Sequence, residues 1–354
     1  MTTRSIPRLR PLSVGQILDR AIRLYRHNFF TFVGIIAVVQ VPISLLSLII
    51  ALFGYQPPAL AFEDEFYLRQ ILSSLAQLVL TLVSVVLISG LATAALTQAI
   101  AEGYFGESVG FMEAYRKIGG KWGRLVGAIL LAMLFSLLLF IWLLIPCIGW
   151  ATGGGMLFFF ATVITPLVAP IVVLEDKAAG AAIRRAWDLA RRRFWPVVGF
   201  VVILFLFNLL LVSGPTLLFT FVFQFAGETL VPSRDPFVIF AVQTVVTTLV
   251  QILMSMLYTP LQLTAMTLLY FDLRVRTEGF DLTMLAQSAL AEEEPEMMIS
   301  RAPPPEGGAL ITGTELAYFL GLSVGFGAVY ALFVGVILAI FGVTFAALPG
   351  TFGP

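Results

Sequence analysis

Residues 15–34 read GQILDRAIRLYRHNFFTFVG, and residues 180–199 read GAAIRRAWDLARRRFWPVVG. The two stretches align without a gap and are identical at eight of twenty positions. A weaker copy, GFMEAYRKIGGKWGRLVG at residues 110–127, fits when two residues are dropped near its start. Each copy is a basic segment that leads into a long apolar run. Since repeated units of this kind bury their apolar faces against one another, the pattern predicts a membrane scaffold built of three repeated units.

Composition places the chain in a membrane. Hydrophobic residues make up 59% of it and charged residues only 12%, whereas soluble domains carry about 25% charged residues. Apolar runs longer than about 18 residues are candidate membrane spans. Seven such runs occur, at residues 29–53, 72–100, 125–145, 151–174, 197–225, 237–271 and 316–348. The sequence therefore predicts an all-α polytopic integral membrane protein with about seven transmembrane helices.

The positive charges predict how the chain is oriented. Lys and Arg residues near span ends favour the cytoplasmic side. With a cytoplasmic N-terminus, 19 of the 21 basic residues fall inside, and only Arg69 and Arg234 fall outside. No organelle-targeting signal is present. We therefore expect a multi-pass protein of the plasma (inner) membrane whose N-terminus is cytoplasmic.

The repeated basic segments predict amphipathic helices at the membrane surface. Ser13 and Gln16 have the spacing of a capping box at the start of the first one. Apolar residues then recur at helical spacing, with arginines on the other face, as in helices that lie among lipid headgroups. The lipid-headgroup candidates are Arg20, Arg23, Arg26, Arg184, Arg185, Arg191, Arg192 and Arg193. We expect anionic membrane lipids as ligands; the alternative is that these arginines only set the topology.

The predicted spans contain little chemistry. No Asp, Glu, Lys or Arg lies deep within them, which disfavours proton-coupled pumps and ion channels. Their glutamines are expected to form hydrogen bonds between helices, with ligand contacts as the alternative. Prolines should kink or unwind the helices, and irregular backbone at depth must line protein or a cavity. Thr165, Pro166, Pro170 and Pro215 are therefore the groove candidates, although Pro170 could simply end a span.

The predicted organisation has three parts. Residues 1–288 form a six-span domain of three two-span units, residues 289–313 an acidic Pro/Gly-rich linker, and residues 314–354 an appended single transmembrane helix. Gly321, Gly325 and Gly327 offer that helix a close-packing face toward the six-span domain or a second protein. The single cysteine, Cys147, excludes an intrachain disulfide and is expected to be a packed apolar filler.

Enzyme motifs are absent from the sequence. His27 is the only histidine, which excludes multi-histidine metal sites and Ser-His catalysis. Neither a P-loop nor a dinucleotide fingerprint is present. We expect no enzyme activity, no catalytic, cofactor or metal site, and no nucleic-acid partner.

Three stretches carry a resemblance to a known family. They are RPLSVGQILDRAIRL at residues 10–24, AIRRAWDLARRRFWPVVG at 182–199 and LYFDLRVRTEGFDLTML at 269–285. They resemble the membrane domain family of glycerophosphoryl diester phosphodiesterase, over roughly residues 10–287. The resemblance implies an integral membrane protein of about six spans. It implies no phosphodiesterase activity, because the chain has no room for the catalytic barrel.

Two functions follow from these observations. The leading hypothesis is a non-enzymatic membrane scaffold or accessory subunit that binds lipid and partner proteins or forms a homo-oligomer. The alternative is a transporter or permease-like protein for a lipid or small solute. A polar cavity that reaches the bilayer midplane would favour the permease, whereas a packed interior with one exposed apolar or Gly-rich helix face would favour the scaffold.

Overall fold

The protein is helical wherever its structure is described. The computed structural model describes residues 11–55, 64–104, 110–231, 235–279 and 312–346. These residues are 92% helical, contain no strand, and include six helices long and apolar enough to cross a membrane. The predicted all-α polytopic membrane architecture is confirmed. The seventh expected run falls mostly in one further helix of 34 residues.

Thirteen α-helices follow one another in these ranges. They are α1 (Val14–His27), α2 (Phe29–Phe53), α3 (Asp64–Val85), α4 (Thr93–Tyr104), α5 (Phe111–Ile118), α6 (Trp122–Leu143), α7 (Ile148–Phe159), α8 (Thr165–Leu174), α9 (Ala179–Arg191), α10 (Phe194–Asn208), α11 (Gly214–Leu230), α12 (Pro236–Glu278) and α13 (Gly313–Ala346).

The expected proline breaks take the form of wider helical turns. Three π-helical segments join consecutive α-helices: Val86–Ala92 joins α3 to α4, Phe160–Ile164 joins α7 to α8, and Leu209–Ser213 joins α10 to α11. The last two end just before Pro166 and Pro215, whose rings lack the N–H that an α-helical ladder needs. A π-turn therefore absorbs each proline while the chain remains helical, and the expected unwinding does not occur there.

The chain divides into two compact units. Unit 1 comprises Met1–Ala132 and Val163–Pro305, and unit 2 comprises Met133–Thr162 and Glu306–Pro354. The predicted linker falls almost wholly outside the described residues, so the predicted boundaries stay a prediction. In unit 2, α13 packs along α7, and this contact gives α13 a protein partner.

Helices α7 and α13 approach closely at a glycine, although at a different one from those expected. A side chain on Gly155 would collide with the backbone of Phe319, and the Gly155 amide donates to Ser323 Oγ at 2.7 Å. Gly321, Gly325 and Gly327 are exposed instead. Helix contact in lipid depends on close backbone approach, and here α7 provides it.

Cys147 is not the packed filler that we expected. It is exposed and has a positive φ of 64° at the turn that starts α7. Left-handed backbone in a non-glycine residue is uncommon and is found mostly in turns. The side chain therefore projects from a turn and fills no space in a core.

The core of unit 1 is made by three helices. Helices α4 and α8 and the second half of α12 contact one another, and each contributes several fully buried residues. Small and β-branched side chains permit this approach, and the hydroxyl oxygens of Thr97 and Thr267 lie 3.4 Å apart. The C-terminal ends of these helices carry the short helices of unit 1, and we call this the basic end.

Each short helix at the basic end packs against one of the core helices. Helix α5 packs on α4, α9 on α8, and α1 on α12. Part of each apolar face is thus buried against protein, as Ile17, Ala21 and Ala186 illustrate, whereas Ile22 of α1 and Met112 of α5 are exposed. This happens because the core helices provide a protein surface at that level. The expected capping box of α1 is confirmed, with Ser13 Oγ 3.3 Å from the Gln16 amide and Gln16 Oε1 2.9 Å from the Ser13 amide.

Candidate lipid-headgroup site and polar membrane cavity

The junction between α8 and α9 is a buried ionic network. Glu175, at the end of α8, is fully buried and pairs with Arg185 Nε at 3.0 Å. It also accepts from the Tyr270 hydroxyl at 2.8 Å. Arg185 pairs with Glu278, whose other oxygen lies 3.3 Å from Arg274 Nε. Every carboxylate is thus matched by a guanidinium, which is the condition for tolerating buried charge.

Arg185 is a structural residue of this network. Burial alone lowers the pKa of Arg185, but the hydrogen bond to Glu278 and the charges of Glu175 and Glu278 raise the pKa overall. The guanidinium is therefore charged and committed to two carboxylates. This position is at odds with the interpretation of Arg185 as a lipid-headgroup contact.

The junction between α4 and α5 is built in a similar way. Glu102, near the end of α4, accepts from Lys117 Nζ on α5 at 2.7 Å and from Gln98 Nε2 at 2.7 Å. The Lys117 side chain is 38% exposed, so solvent screens part of this attraction. An acid at the end of a core helix again anchors the short helix that follows.

The junction between α12 and α1 uses a backbone donor. The Leu12 amide donates to Asp272 Oδ1 at 2.7 Å, which ties the start of α1 to a helix 260 residues away in sequence. Arg276 Nε donates to Asp272 Oδ2 at 2.8 Å, and Arg276 Nη2 donates to the Leu12 carbonyl at 2.6 Å. The first and last parts of unit 1 are joined by these three contacts.

A cavity of about 210 Å³ lies at this junction. The first turn of α1, the start of α10 and the end of α12 line it, and its charged side chains are Arg193, Arg276 and Asp272. Two positive charges and one negative charge leave a net charge of +1. Within the described residues, the Arg193 side chain has no hydrogen-bond or ion-pair partner. The cavity therefore has the charge, and offers a free guanidinium, for one phosphodiester anion.

The remaining arginine candidates do not converge on this cavity. Arg23 pairs with Asp19 at 2.7 Å, and Arg191 pairs with Asp188 at 3.0 Å. Arg192 reaches the Thr277 carbonyl at 3.5 Å. Arg26 and Arg184 are exposed and Arg20 is half-buried. Of the eight candidates, Arg193 is the one that lines the cavity.

Lys121 occupies the position in the 110–127 copy that aligns with Arg193. Its Nζ donates to the Val173 carbonyl at 2.6 Å and lies 3.8 Å from Asp176 Oδ1. Arg124 pairs with the same carboxylate at 2.7 Å, and its hydrogen bond is the main reason that the pKa of Asp176 is lowered. The aligned basic residue thus binds protein at one place and faces a cavity at the other.

A second cavity, of about 190 Å³, is lined by polar side chains of α2, α3 and α12; we call it the polar cavity. The polar residues are Gln40, Ser44, Ser47, Gln77, Thr81, Ser84, Thr248 and Gln251. Gln77 Nε2 donates to Ser47 Oγ at 3.0 Å across α3 and α2. The prediction that glutamines bridge helices is confirmed for this pair.

A third cavity, of about 800 Å³, has mostly apolar walls. It lies between α2 and α5, with Val38 and Leu91 among its apolar lining residues and Glu113 and Arg116 as its charged ones. The groove candidates lie elsewhere: Thr165, Pro166 and Pro215 are half-buried and Pro170 is buried. The three cavities described here are lined by other residues.

Sequence reasoning missed Asp272, Arg276, Glu102 and Glu175 as structural anchors. Asp272 and Arg276 lie within the quoted stretch 269–285, but nothing in that stretch signals a contact with Leu12. The available signal was an acidic residue at or just after the end of each second span, as Glu102, Glu175 and Asp272 show.

A family comparison agrees with the resemblance seen in the sequence. Residues 150–298 match the model for the membrane domain of glycerophosphoryl diester phosphodiesterase, which is 149 of the 354 residues. The match includes the stretches at 182–199 and 269–285, whereas the stretch at 10–24 lies outside it. No curated protein and no solved structure matches the chain. The predicted resemblance is thus confirmed for residues 150–298, which are similar to the membrane domain of that phosphodiesterase family.

Proposed function

We propose that the protein is a non-enzymatic integral membrane scaffold or accessory subunit that binds anionic phospholipid at the α12–α1 cavity. The observation that carries this proposal is the unpartnered guanidinium of Arg193 beside Arg276, in a cavity of net charge +1. Arginine binds phosphate oxygens through two parallel hydrogen bonds. One phosphodiester would neutralise the cavity. Partner membrane proteins or a second copy of the chain complete the proposed scaffold role.

The apolar cavity between α2 and α5 supports lipid binding at a second place. Its apolar walls suit an acyl chain, and its charged lining residues, Glu113 and Arg116, balance one another. An exposed arginine at the basic end, such as Arg26, adds an attraction of about 1 kcal/mol near an anionic leaflet. The basic end as a whole is therefore suited to an anionic membrane surface.

The proposal places the basic end in the cytoplasm and the protein in the plasma membrane. The distribution of Lys and Arg supports this orientation. Cys147 provides the test, because it is exposed and is the only cysteine. A membrane-impermeant maleimide added to intact cells should label it. Labelling of Cys147 only after cell lysis would reverse the orientation and remove the basic end from the cytoplasmic leaflet.

Arg193→Gln tests the lipid site, with Arg184→Gln as the matched control on the adjoining surface. We expect phosphatidylglycerol to raise the Tm of the purified wild-type protein and of Arg184→Gln, because a ligand that binds only the folded state stabilises it. The rise should fall by at least half in Arg193→Gln. Phosphatidylcholine should change the Tm of all three proteins by similar amounts. Equal phosphatidylglycerol responses in all three proteins would reject Arg193 as a headgroup ligand.

The polar cavity favours a second candidate function, a permease-like protein for a small solute. Polar side chains that line a cavity inside the membrane-spanning region cost free energy unless a polar molecule fills the cavity. A polar cavity at the bilayer midplane is a feature expected of a permease and not of a scaffold. This candidate is independent of the α12–α1 cavity and requires its own test.

A further inference from the structure

The polar cavity lies near the middle of the membrane-spanning helices that form it. Ser44 is 15 residues after the start of α2, and α2 has 25 residues. At 1.5 Å per residue, Ser44 is roughly 22 Å along a helix of roughly 37 Å. Thr248 and Gln251 are 12 and 15 residues into α12. The cavity is therefore well inside the hydrocarbon region that α2 spans.

Several polar groups of the cavity have no protein partner. Gln40, Ser44, Thr248 and Gln251 form no side-chain hydrogen bond within the part of the chain that the structure describes. An amide carries two donor hydrogens and an acceptor oxygen, and an unsatisfied polar group in hydrocarbon is costly. None of the four is fully buried and Gln251 is exposed, so a polar occupant can reach and satisfy these side chains.

Other groups in the cavity are arranged to accept hydrogen bonds. The Thr81 hydroxyl donates to the Gln77 carbonyl at 2.8 Å, and the Ser84 hydroxyl donates to the Thr81 carbonyl at 2.7 Å. Each hydroxyl has used its single hydrogen and retains acceptor lone pairs. Together with the glutamine amides, the walls offer both donors and acceptors, which suits hydroxyl groups on a ligand.

Charge and size restrict the ligand further. None of the residues that line the cavity is Asp, Glu, Lys, Arg or His, so an ion would enter hydrocarbon without a counter-charge. Its volume of about 190 Å³ corresponds to about six water molecules at roughly 30 Å³ each. One solute with about six non-hydrogen atoms would replace that water.

We propose that the polar cavity is a binding site for a small uncharged polyol of three to four carbons. Such a molecule supplies a donor and an acceptor at every hydroxyl and carries no charge. The inference deepens the permease candidate by naming its substrate class, and it does not depend on lipid binding at Arg193. Binding within the cavity and passage through the protein are separate properties, and they are tested separately.

Glycerol is the probe, and glycerate is the charged probe of the same size. Saturation-transfer NMR on the full chain in nanodiscs should detect glycerol on the wild type and not glycerate. The double variant Gln40→Leu, Gln251→Leu removes the two unpartnered amides, and Gln224→Leu on α11 changes a glutamine outside the cavity. We expect at least a fivefold loss of glycerol signal in the double variant and no loss in Gln224→Leu. Equal signals in all three proteins, or equal binding of glycerate, would overturn the proposal.

A milder change keeps the test valid if the double variant fails to fold. Ser44→Cys in a Cys147→Ser background places one thiol in the cavity. Millimolar glycerol should slow the reaction of this thiol with a small neutral methanethiosulfonate at least threefold. The control is Ser136→Cys in the same background, away from the cavity, and glycerol should leave its reaction rate unchanged. The same rate with and without glycerol would overturn the proposal.

Osmotic swelling of proteoliposomes separates the site from the permease candidate. Faster glycerol entry that is lost in the Gln40→Leu, Gln251→Leu variant would support both. Binding without faster entry would support the site and reject the permease. Faster entry that is unchanged in the variant would reject the polar cavity as the site.

Discussion

The α8–α9 junction and the α12–α1 junction each attach a short helix to a core helix, but they differ in the group that makes the attachment. In both, an acid near the end of a core helix holds a short helix at the basic end. At α8–α9 the holding group is the Arg185 guanidinium, and the surrounding charges satisfy one another. At α12–α1 the holding group is the Leu12 amide, so a cation there remains unmatched. A junction with a neutral donor can leave room and charge for a ligand, whereas a fully ionic junction leaves neither.

The same contrast appears at the residues that precede the first membrane helix in two of the sequence repeats. Lys121 is bound to the Val173 carbonyl beside Asp176, while Arg193 faces the cavity of the α12–α1 junction. Aligned positions therefore have a structural role in one sequence repeat and an available charge in another. Burial and partners, more than residue type, distinguish them.

Arg185→Leu should have the largest effect, because it leaves Glu175 and Glu278 buried with half of their positive charge removed. Breaking one partner of a buried ion pair costs about 3–5 kcal/mol. The free energy of unfolding in mild detergent should fall by that amount, as measured by denaturant titration followed by tryptophan fluorescence. Arg184→Leu, one residue away and exposed, should change it by less than about 0.5 kcal/mol. If both variants unfold alike, the α8–α9 network does not hold the structure and the comparison fails.

Asp272→Ala should have a smaller and more local effect. It leaves the Leu12 amide without its acceptor and Arg276 without its carboxylate, at a cost of about 1–3 kcal/mol. Hydrogen exchange should accelerate in α1 while α9 keeps its protection. Asp19→Ala serves as the control, since it removes an exposed ion pair of α1 with Arg23 and leaves the junction intact. Unchanged exchange in α1 would show that Asp272 does not anchor that helix.

Asp176→Asn should have the smallest effect and a defined pH dependence. The Arg124 hydrogen bond lowers the pKa of Asp176 below its ordinary value of 3.8, so the contribution to stability is present above that value and lost as the pH falls through the folded-state pKa. The side chain is 54% exposed, which limits the loss at pH 7 to less than about 0.5 kcal/mol. The Tm difference from wild type should be small at pH 7 and should shrink toward pH 3. A difference that grows on acidification would contradict the assignment.

The sequence predicted the parts of the fold that follow from local pattern. Long apolar runs gave the membrane helices, and the Ser13–Gln16 spacing gave the first capping box. The partners of the short helices were not predictable, because Leu12 and Asp272 are separated by 260 residues and their approach depends on how α1 packs against α12. The roles of the eight arginines were not predictable either, because their partners also depend on the tertiary fold. Only packing shows that Arg185 is committed to Glu175 and Glu278 while Arg193 is available.

The polar cavity was not predicted from the sequence. Gln40, Gln77 and Gln251 stood out in the apolar runs, yet the groove was expected around Pro166 and Pro215. Those prolines are accommodated by π-helical turns that keep the backbone satisfied. The glutamines come together because α2, α3 and α12 are neighbours, and neighbourhood is a property of the tertiary fold.

The central claim is that aligned basic residues divide into a structural one and a ligand-binding one. Native mass spectrometry of Lys121→Gln and Arg193→Gln in phosphatidylglycerol, together with their Tm values, tests it most directly. In the absence of phosphatidylglycerol, we expect Arg193→Gln to keep the wild-type Tm and Lys121→Gln to lower it. With phosphatidylglycerol present, Arg193→Gln should lose bound lipid, and Lys121→Gln should keep the lipid on the folded fraction. The same lipid occupancy in both variants, or a loss of lipid only in Lys121→Gln, would contradict the account.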